Sequence, residues 1–168
     1  MAIRKIVKDG DPILLKECRK VERFDSKLHG LLEDMKETLA EARGAGLAAP
    51  QVGILRQICI VSVDPDTEAL ELINPEILET EGEQEGIEGC LSFPGLFGIV
   101  KRPMKVRLRA QNRHGNWFET SGEGFTARAF CHETDHLHGV LYKSLAERML
   151  SDEELEEMLE QENEGERQ

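Results

Sequence analysis

Between Ser26 and Ala42 the apolar residues Leu28, Leu31, Leu32, Met35 and Leu39 recur at steps of three and four, with Glu33, Lys36, Glu37 and Glu41 between them. This period predicts an amphipathic helix with one face on a core. Asp25 or Ser26 is placed to cap its start, and Gly44 to supply the left-handed residue at its end. Residues 57–63 are rich in β-branched side chains and read as a strand buried on both faces. Residues 104–110 alternate Val106, Leu108 and Ala110 with Lys105, Arg107 and Arg109, the pattern of a half-buried strand. Asn112-Arg113-His114-Gly115-Asn116 carries hairpin-turn residues, so 117–120 reads as the returning strand. Shorter strands are expected at 70–73 and 77–80. Residues 124–138 contain no proline and end before Gly139, which predicts a largely buried helix with a glycine stop. Ser151-Asp152-Glu153-Glu154 opens a last helix with a capping box, and Leu155, Met158 and Leu159 form its apolar stripe against the body. Residues 163–168 read as a frayed end.

A length of 168 residues fits one domain with a single core. Hydrophobic residues make up 39% and charged residues 32%, the balance of a soluble globular chain. No apolar run is long enough to span a membrane, and charges, Gly10 and Pro12 interrupt the N-terminus where a secretory signal needs an apolar core. A cytoplasmic location is expected. The formal charge of -12 disfavours DNA, RNA and anionic membranes as partners. Much of that charge is local to residues 147–166, however, so a cleft elsewhere is free to have either sign. Cys18, Cys59, Cys90 and Cys131 form no CxxC pair, and in a reducing compartment thiols serve burial or metal binding.

His132-Glu133-Thr134-Asp135-His136 carries the chemistry. On a helix its two imidazoles stand about 40° apart around the axis and about 6 Å along it, close enough to converge on one metal ion. Glu133 lies between them in projection, where a carboxylate can take a proton from water beside the metal without being spent as a ligand. The plainer reading is a solvated polar stripe. Ala127, Ala129, Phe130 and Leu137 weaken it, because histidines among apolar neighbours need partners. A catalytic site of this kind takes a third protein donor. Cys90, in Glu88-Gly89-Cys90-Leu91-Ser92-Phe93-Pro94, is the candidate, although a lone cysteine more commonly acts as a small buried hydrophobe. Cys59 and Cys131 read as core residues, Cys18 as a residue without a role, and His29, His114 and His138 as surface histidines. Asp135 is placed to orient a ligand histidine or an arginine, or to form a plain salt bridge. The segment Gly44-Ala45-Gly46-Leu47-Ala48-Ala49-Pro50-Gln51 lacks the lysine and hydroxyl residue of a phosphate loop. It reads as a tight connection that presents Gln51.

Taken together, GAGLAAPQ at 44–51, EGCLS at 88–92 and HETDH at 132–136 resemble, in the same order, the three signature motifs of the peptide deformylases. The resemblance spans most of the chain and leaves out the acidic C-terminal segment. It implies an α+β fold in a single compact domain: mostly antiparallel strands around a central metal-binding helix, with helices at both termini. It implies removal of the N-formyl group from nascent polypeptides that begin with formylmethionine, with release of formate. It also implies Cys90, His132 and His136 as ligands of one divalent metal, Fe²⁺ first, with Zn²⁺, Ni²⁺ or Co²⁺ able to replace it. Glu133 becomes the base, the Gln51 amide and the Leu91 backbone N–H the oxyanion donors, and the main chain at Ala45, Gly46 and Gly89 the holder of the peptide. A hydrophobic pocket beside the helix is expected to take methionine. Proximity to the ribosome follows from the substrate, and a monomer is expected. Cys131 stands where this family more often has glutamine and replaces none of the assigned groups.

Two other functions compete on the pentad alone. A metallopeptidase cleaving internal bonds commonly draws its third ligand, a histidine or glutamate, from downstream; here the remaining chain is short and the thiolate lies upstream. A closed structural or peptide-binding metal site needs a fourth ligand and no free base.

Overall fold

The Asp25 side chain accepts a hydrogen bond from the Leu28 backbone N–H at 3.1 Å, and from this cap α1 runs Ser26–Ala42. Leu28, Leu32, Met35 and Leu39 are buried along it, each contributing about 1.5–3 kcal/mol by leaving water. The left-handed residue that ends the helix is Arg43, at φ 57°, and not Gly44. Gly44 is required for another reason, since a Cβ there would lie 2.8 Å from Leu91 Cδ1. The computed structural model describes residues 2–64 and 66–167.

The main sheet has five antiparallel strands in the order β1-β2-β3-β6-β7: β1 Gly46–Ala48, β2 Ile58–Val61, β3 Leu70–Glu81, β6 Lys105–Gln111 and β7 Trp117–Glu123. β4 Gln84–Cys90, β5 Phe93–Arg102 and β8 Arg148–Met149 form a second antiparallel sheet. Side-chain alternation makes the main sheet the middle of three layers. Leu47, Ile58, Ile60 and Ile73 meet α1 on one face, while Ala48, Cys59, Val61 and Leu72 meet α2, Phe125–His136, on the other. Thus all four residues of β2 are buried. In β6 only Val106, Leu108 and Ala110 are buried, and Arg107 and Arg109 pair on the outer face with Glu79, Glu119 and Glu76.

The expected strands at 70–73 and 77–80 form one, bent where Asn74 takes φ 51° and the register with β6 shifts. Asn74 accepts from the Val21 N–H and donates to the Val21 carbonyl, so this bend also pins the N-terminal segment. The returning strand extends past residue 120 to Glu123. β1, β4, β5 and β8 were not predicted, because glycines at 86, 89, 95 and 98 break the alternation in the central ones and β1 and β8 are too short to show any. Gly124 opens α2 at φ 62°, and Gln84 Nε2 donates to its carbonyl at 2.6 Å, tying the two sheets. After α3, Tyr142–Leu145, the capping box forms: Glu154 N–H donates to Ser151 Oγ, and Ser151 N–H to Glu154 Oε1. The last helix, α4, runs Asp152–Arg167. The end expected to fray from residue 163 is therefore helical through Arg167, and Gln168 lies outside the described residues.

Gly139 has φ 71°, and a Cβ there would sit 2.4 Å from the Leu15 carbonyl oxygen, a backbone atom with little freedom to move. Gly10, at φ 97°, has nothing within 4 Å of that position. Gly139→Ala is expected to cost about 2–3 kcal/mol and Gly10→Ala about 1 kcal/mol, measured as shifts in urea unfolding.

Candidate metal centre and active site

α2 crosses the main sheet with its apolar residues, Ala127, Phe130 and Cys131 among them, against the strands. This fixes the direction of its polar positions. His132 and His136, one turn apart, have ring centroids 4.9 Å apart and Nε2 atoms 3.2 Å apart. β4 brings in Cys90, whose Sγ is 3.3 Å from His136 Nε2, and the three ligand atoms all lie within 4.8 Å of one another. Metal–nitrogen bonds of about 2.0–2.1 Å and a metal–sulfur bond of about 2.3 Å fit inside such a triangle. The donor set therefore suits one divalent ion.

Strand alternation places Glu88 on the same side of β4 as Cys90. The Glu88 carboxylate accepts from His132 Nδ1 at 2.8 Å, which leaves His132 Nε2 to face the other two donors. Arg102 of β5 donates to both Glu88 oxygens, at 3.0 and 2.6 Å, and to Asp135 at 2.7 Å, while Arg128 Nη1 donates to Glu88 at 3.1 Å. Burial opposes the charged form of Glu88, but hydrogen bonds from His132 and Arg102 outweigh it and hold the carboxyl down at about 2. The Asp135 partner is thus the arginine.

Glu133 is 2% exposed, and one of its oxygens has no hydrogen-bond partner. Burial pushes its carboxyl up to about 7. It lies against the backbone of Gly46, where a Cβ would come within 2.7 Å of the carboxyl group. Gln51 follows β1 in a turn of 3-10 helix; its Oε1 accepts from the Ala48 N–H at 2.9 Å, which orients Nε2 toward Ser92 Oγ at 3.1 Å and Cys90 Sγ at 3.4 Å.

Beside these groups opens a cavity of about 620 Å³, lined among others by Ala45, Gly46, Gly89, Cys90, Leu91 and His132. Gln51, Glu133 and His136 do not line it; all three are buried. Phe125 and Phe97 give the cavity an apolar wall, and Tyr142, whose hydroxyl donates to the Leu96 carbonyl, stacks 5.9 Å from the His132 ring.

The remaining thiols stand apart. Burial pushes Cys18 and Cys131 up to about 11 and Cys59 well above the usual thiol range, so none is a ready thiolate. Cys18 has a packing role, contrary to expectation: it is buried against Leu137, whose carbonyl accepts its N–H. His29 Nε2 donates to the Arg113 carbonyl at 2.8 Å and is half-buried, and His114 and His138 are exposed. The sequence reading missed Arg102 and Arg128 altogether, and it quoted Glu88 only as part of a motif. Glu88 had a signal, two residues before Cys90 on a strand; the arginines had none, being ordinary members of charged segments.

Residues 3–151 match the family model described as polypeptide deformylase. The chain is 54% identical to peptide deformylase 1 of Bacillus cereus over 93% of its own length and 100% of the relative's, and 49% identical to the peptide deformylase of Caldicellulosiruptor bescii over 94% and 93%. Among solved structures it resembles the peptide deformylase of Thermotoga maritima (TM-score 0.84, 39% identity, 88% of this chain and 100% of that one). It also resembles that of Legionella pneumophila (TM-score 0.84, 38% identity, 99% and 96%).

Removing Glu88 leaves Arg102 and Arg128 buried without their main counter-charge. Glu88→Ala is expected to lower the stability of the metal-free protein by about 3–5 kcal/mol in urea titration. Glu79→Ala, which breaks a pair whose members are 68% and 44% exposed, should cost less than about 1 kcal/mol.

Proposed function

This chain belongs to the polypeptide deformylase family, and from that premise we propose which of its residues perform the family's reaction. The enzyme removes the N-formyl group from nascent polypeptides. The reading of its site is carried by one observation: Cys90, His132 and His136 gather their donor atoms within 4.8 Å beside a fully buried glutamate. These three would hold the divalent metal, which supplies Lewis acidity to a water and to the formyl carbonyl when bound. A mixed thiolate and imidazole set accepts Fe²⁺, our assignment on family grounds, and also Zn²⁺, Ni²⁺ or Co²⁺.

The remaining work falls to the protein. Glu133 takes the proton of the attacking water and returns it to the departing amine, a double duty suited to a carboxyl that burial has brought near neutrality. As the formyl carbon becomes tetrahedral its oxygen gains charge, and the Gln51 amide and the Leu91 backbone N–H donate to it. The Gln51 donor costs little reorganisation, since the Ala48 N–H already holds the amide. The peptide lies between two sheet edges: β1 ends the main sheet and β4 ends the second. Main chain at Ala45, Gly46 and Gly89 holds it as an added strand, giving affinity without reading side-chain sequence. The apolar wall of the cavity receives the methionine side chain.

One chain supplies every group named, which supports a monomeric working unit. No helix among the described residues is long and apolar enough to cross a membrane. We place the enzyme in the cytoplasm, in passing contact with ribosomes that present its substrate, as a single domain over residues 1–168.

With iron or nickel loaded anaerobically, the protein is expected to release formate from a formylmethionyl peptide and to leave internal bonds of the unformylated peptide intact; internal cleavage without formate would reverse the assignment. Glu133→Ala should keep its metal, measured by elemental analysis, while formate release falls by at least about a thousandfold, in the range of losing a proton-transfer group. Loss of metal in that variant would move Glu133 into the ligand set. Cys90→Ser should release metal to a chelator far faster than the parent chain does, and unchanged retention would remove Cys90 from the site.

A further inference from the structure

The titratable residues that line the catalytic cavity divide into two sets. Glu88, Arg128 and His132 are joined in the buried cluster, and Cys90 belongs to the metal donors. Lys8 and Arg43 are the others. Both are exposed, and neither has a carboxylate partner among the described residues. The one acid among the described lining residues is Glu88, which is buried and already paired. Exposed Glu41 lies in an adjoining groove that meets the cavity at Ile6, Lys8 and Ala42, and exposed Lys5 offsets its charge there. A chain with a formal charge of -12 thus turns a cationic mouth toward its substrate.

The two cations meet at Leu91. Lys8 Nζ donates to the Leu91 carbonyl at 3.3 Å, and Gly44, next to Arg43, lies so close to the Leu91 side chain that a Cβ would come within 2.8 Å of it. Backbone holds both residues in place: Val7 N–H donates to the Gln51 carbonyl and Asp9 N–H to the Ser92 carbonyl on either side of Lys8, and Arg43 is the left-handed end of α1. The carbonyl takes one of the three ammonium hydrogens of Lys8 and leaves the others available. β1 leads toward Gln51 and β4 ends at Cys90, so both edges run toward the metal donors. A peptide with its formyl end at those donors extends the opposite way, past Ala45 and then Arg43, at about 3.3 Å per residue. With its first residue at Gly46 and Ala45, the third and fourth come level with Arg43.

We propose that Lys8 and Arg43 select peptides with carboxylate side chains at the third and fourth residues. The selection rests on the deformylase reading of the cavity and adds what an added strand cannot supply, because main-chain hydrogen bonds are blind to side-chain charge. Complementary charge at the mouth steers an acidic segment in and disfavours a basic one. Exposed ion pairs each contribute modestly, so two together amount to a preference of about three- to tenfold. Acids elsewhere on the chain act on every rim variant alike, and the preference is therefore read as a ratio between peptides.

Formate release by the full metal-loaded chain, at about 0.1 M salt where the Debye length is about 10 Å, tests this on two amidated peptides, formyl-Met-Ala-Glu-Glu and formyl-Met-Ala-Lys-Lys. Their side chains supply all the charge. The acidic peptide should have the higher kcat/KM, by about three- to tenfold, and the difference should lie in KM, because a contact at the mouth is made alike in ground and transition states. Lys8→Gln/Arg43→Gln should bring the ratio to about one, and Lys8→Glu/Arg43→Glu should invert it. Lys20→Glu/Arg56→Glu makes the same charge change at a groove that shares no lining residue with the cavity, and should keep the ratio of the parent chain. Salt at about 1 M, where the Debye length is about 3 Å, should remove the preference. Equal kcat/KM for the two peptides in the parent chain overturns the proposal, as does a preference for the basic one. So does a ratio that survives both rim variants or that follows the remote pair. Formate from neither peptide overturns the deformylase reading itself, and the proposal with it.

Discussion

The carboxylate of Glu88 is the group on which the rest of the site depends. It accepts from His132, Arg102 and Arg128, which come from α2 and β5, while its own strand carries Cys90. A carboxylate with about four lone-pair positions is the side chain able to satisfy that many donors at once. The cluster is balanced, two guanidinium groups against Glu88 and Asp135, and the bond to Glu88 holds the His132 ring with Nε2 toward the other two donors. Burying four charges is not in itself a gain in stability. Its structural effect is specificity of position: the helix that carries His132 and His136 and the strand that carries Cys90 are locked in one register.

A second constraint is close approach. The three glycines at 44, 46 and 89 are explained less by dihedral angle than by what a methyl group would strike. At 44 it meets Leu91, at 46 the carboxyl of Glu133, and at 89 the ring of Phe97, in each case at 2.8 Å or less. The first holds Leu91, just past β4, against the chain entering β1, the second lets Glu133 lie flush on backbone, and the third lies within the β4–β5 pair, where Gly89 stands opposite Phe97. The motif that reads along the chain as a tight connection is therefore also a surface cut to fit its neighbours.

What the sequence disclosed follows from how local each signal is. α1, the β6–β7 hairpin and α2 announce themselves through period and caps, because their burial pattern repeats within a few residues. β4 and β5 do not: their glycines serve Arg128, Phe97 and Met149 across the fold, and contacts of that range leave no local pattern. The histidine pair was legible from a five-residue spacing, with Cys90 as the candidate third donor, while the role given to Gln51 came only through resemblance across three motifs. Arg102 and Arg128 were invisible, since a buried arginine and a surface one look alike in sequence until the partner carboxylate is located.

Glu133 shows how stability and chemistry diverge at this site. An acid placed for stability would find partners for both oxygens; here one oxygen is orphaned, which costs about 1–3 kcal/mol for a buried acceptor. Moving the carboxyl outward would relieve that cost, but α2 is fixed by its apolar face and Gly46 closes the space above. The same enclosure raises the carboxyl to about 7, where it holds and releases a proton with comparable ease. A partner for the orphaned oxygen would stabilise the fold and pull that value down toward an ordinary carboxylate. In the proposed mechanism, the missing hydrogen bond is the structural counterpart of the proton that Glu133 would carry.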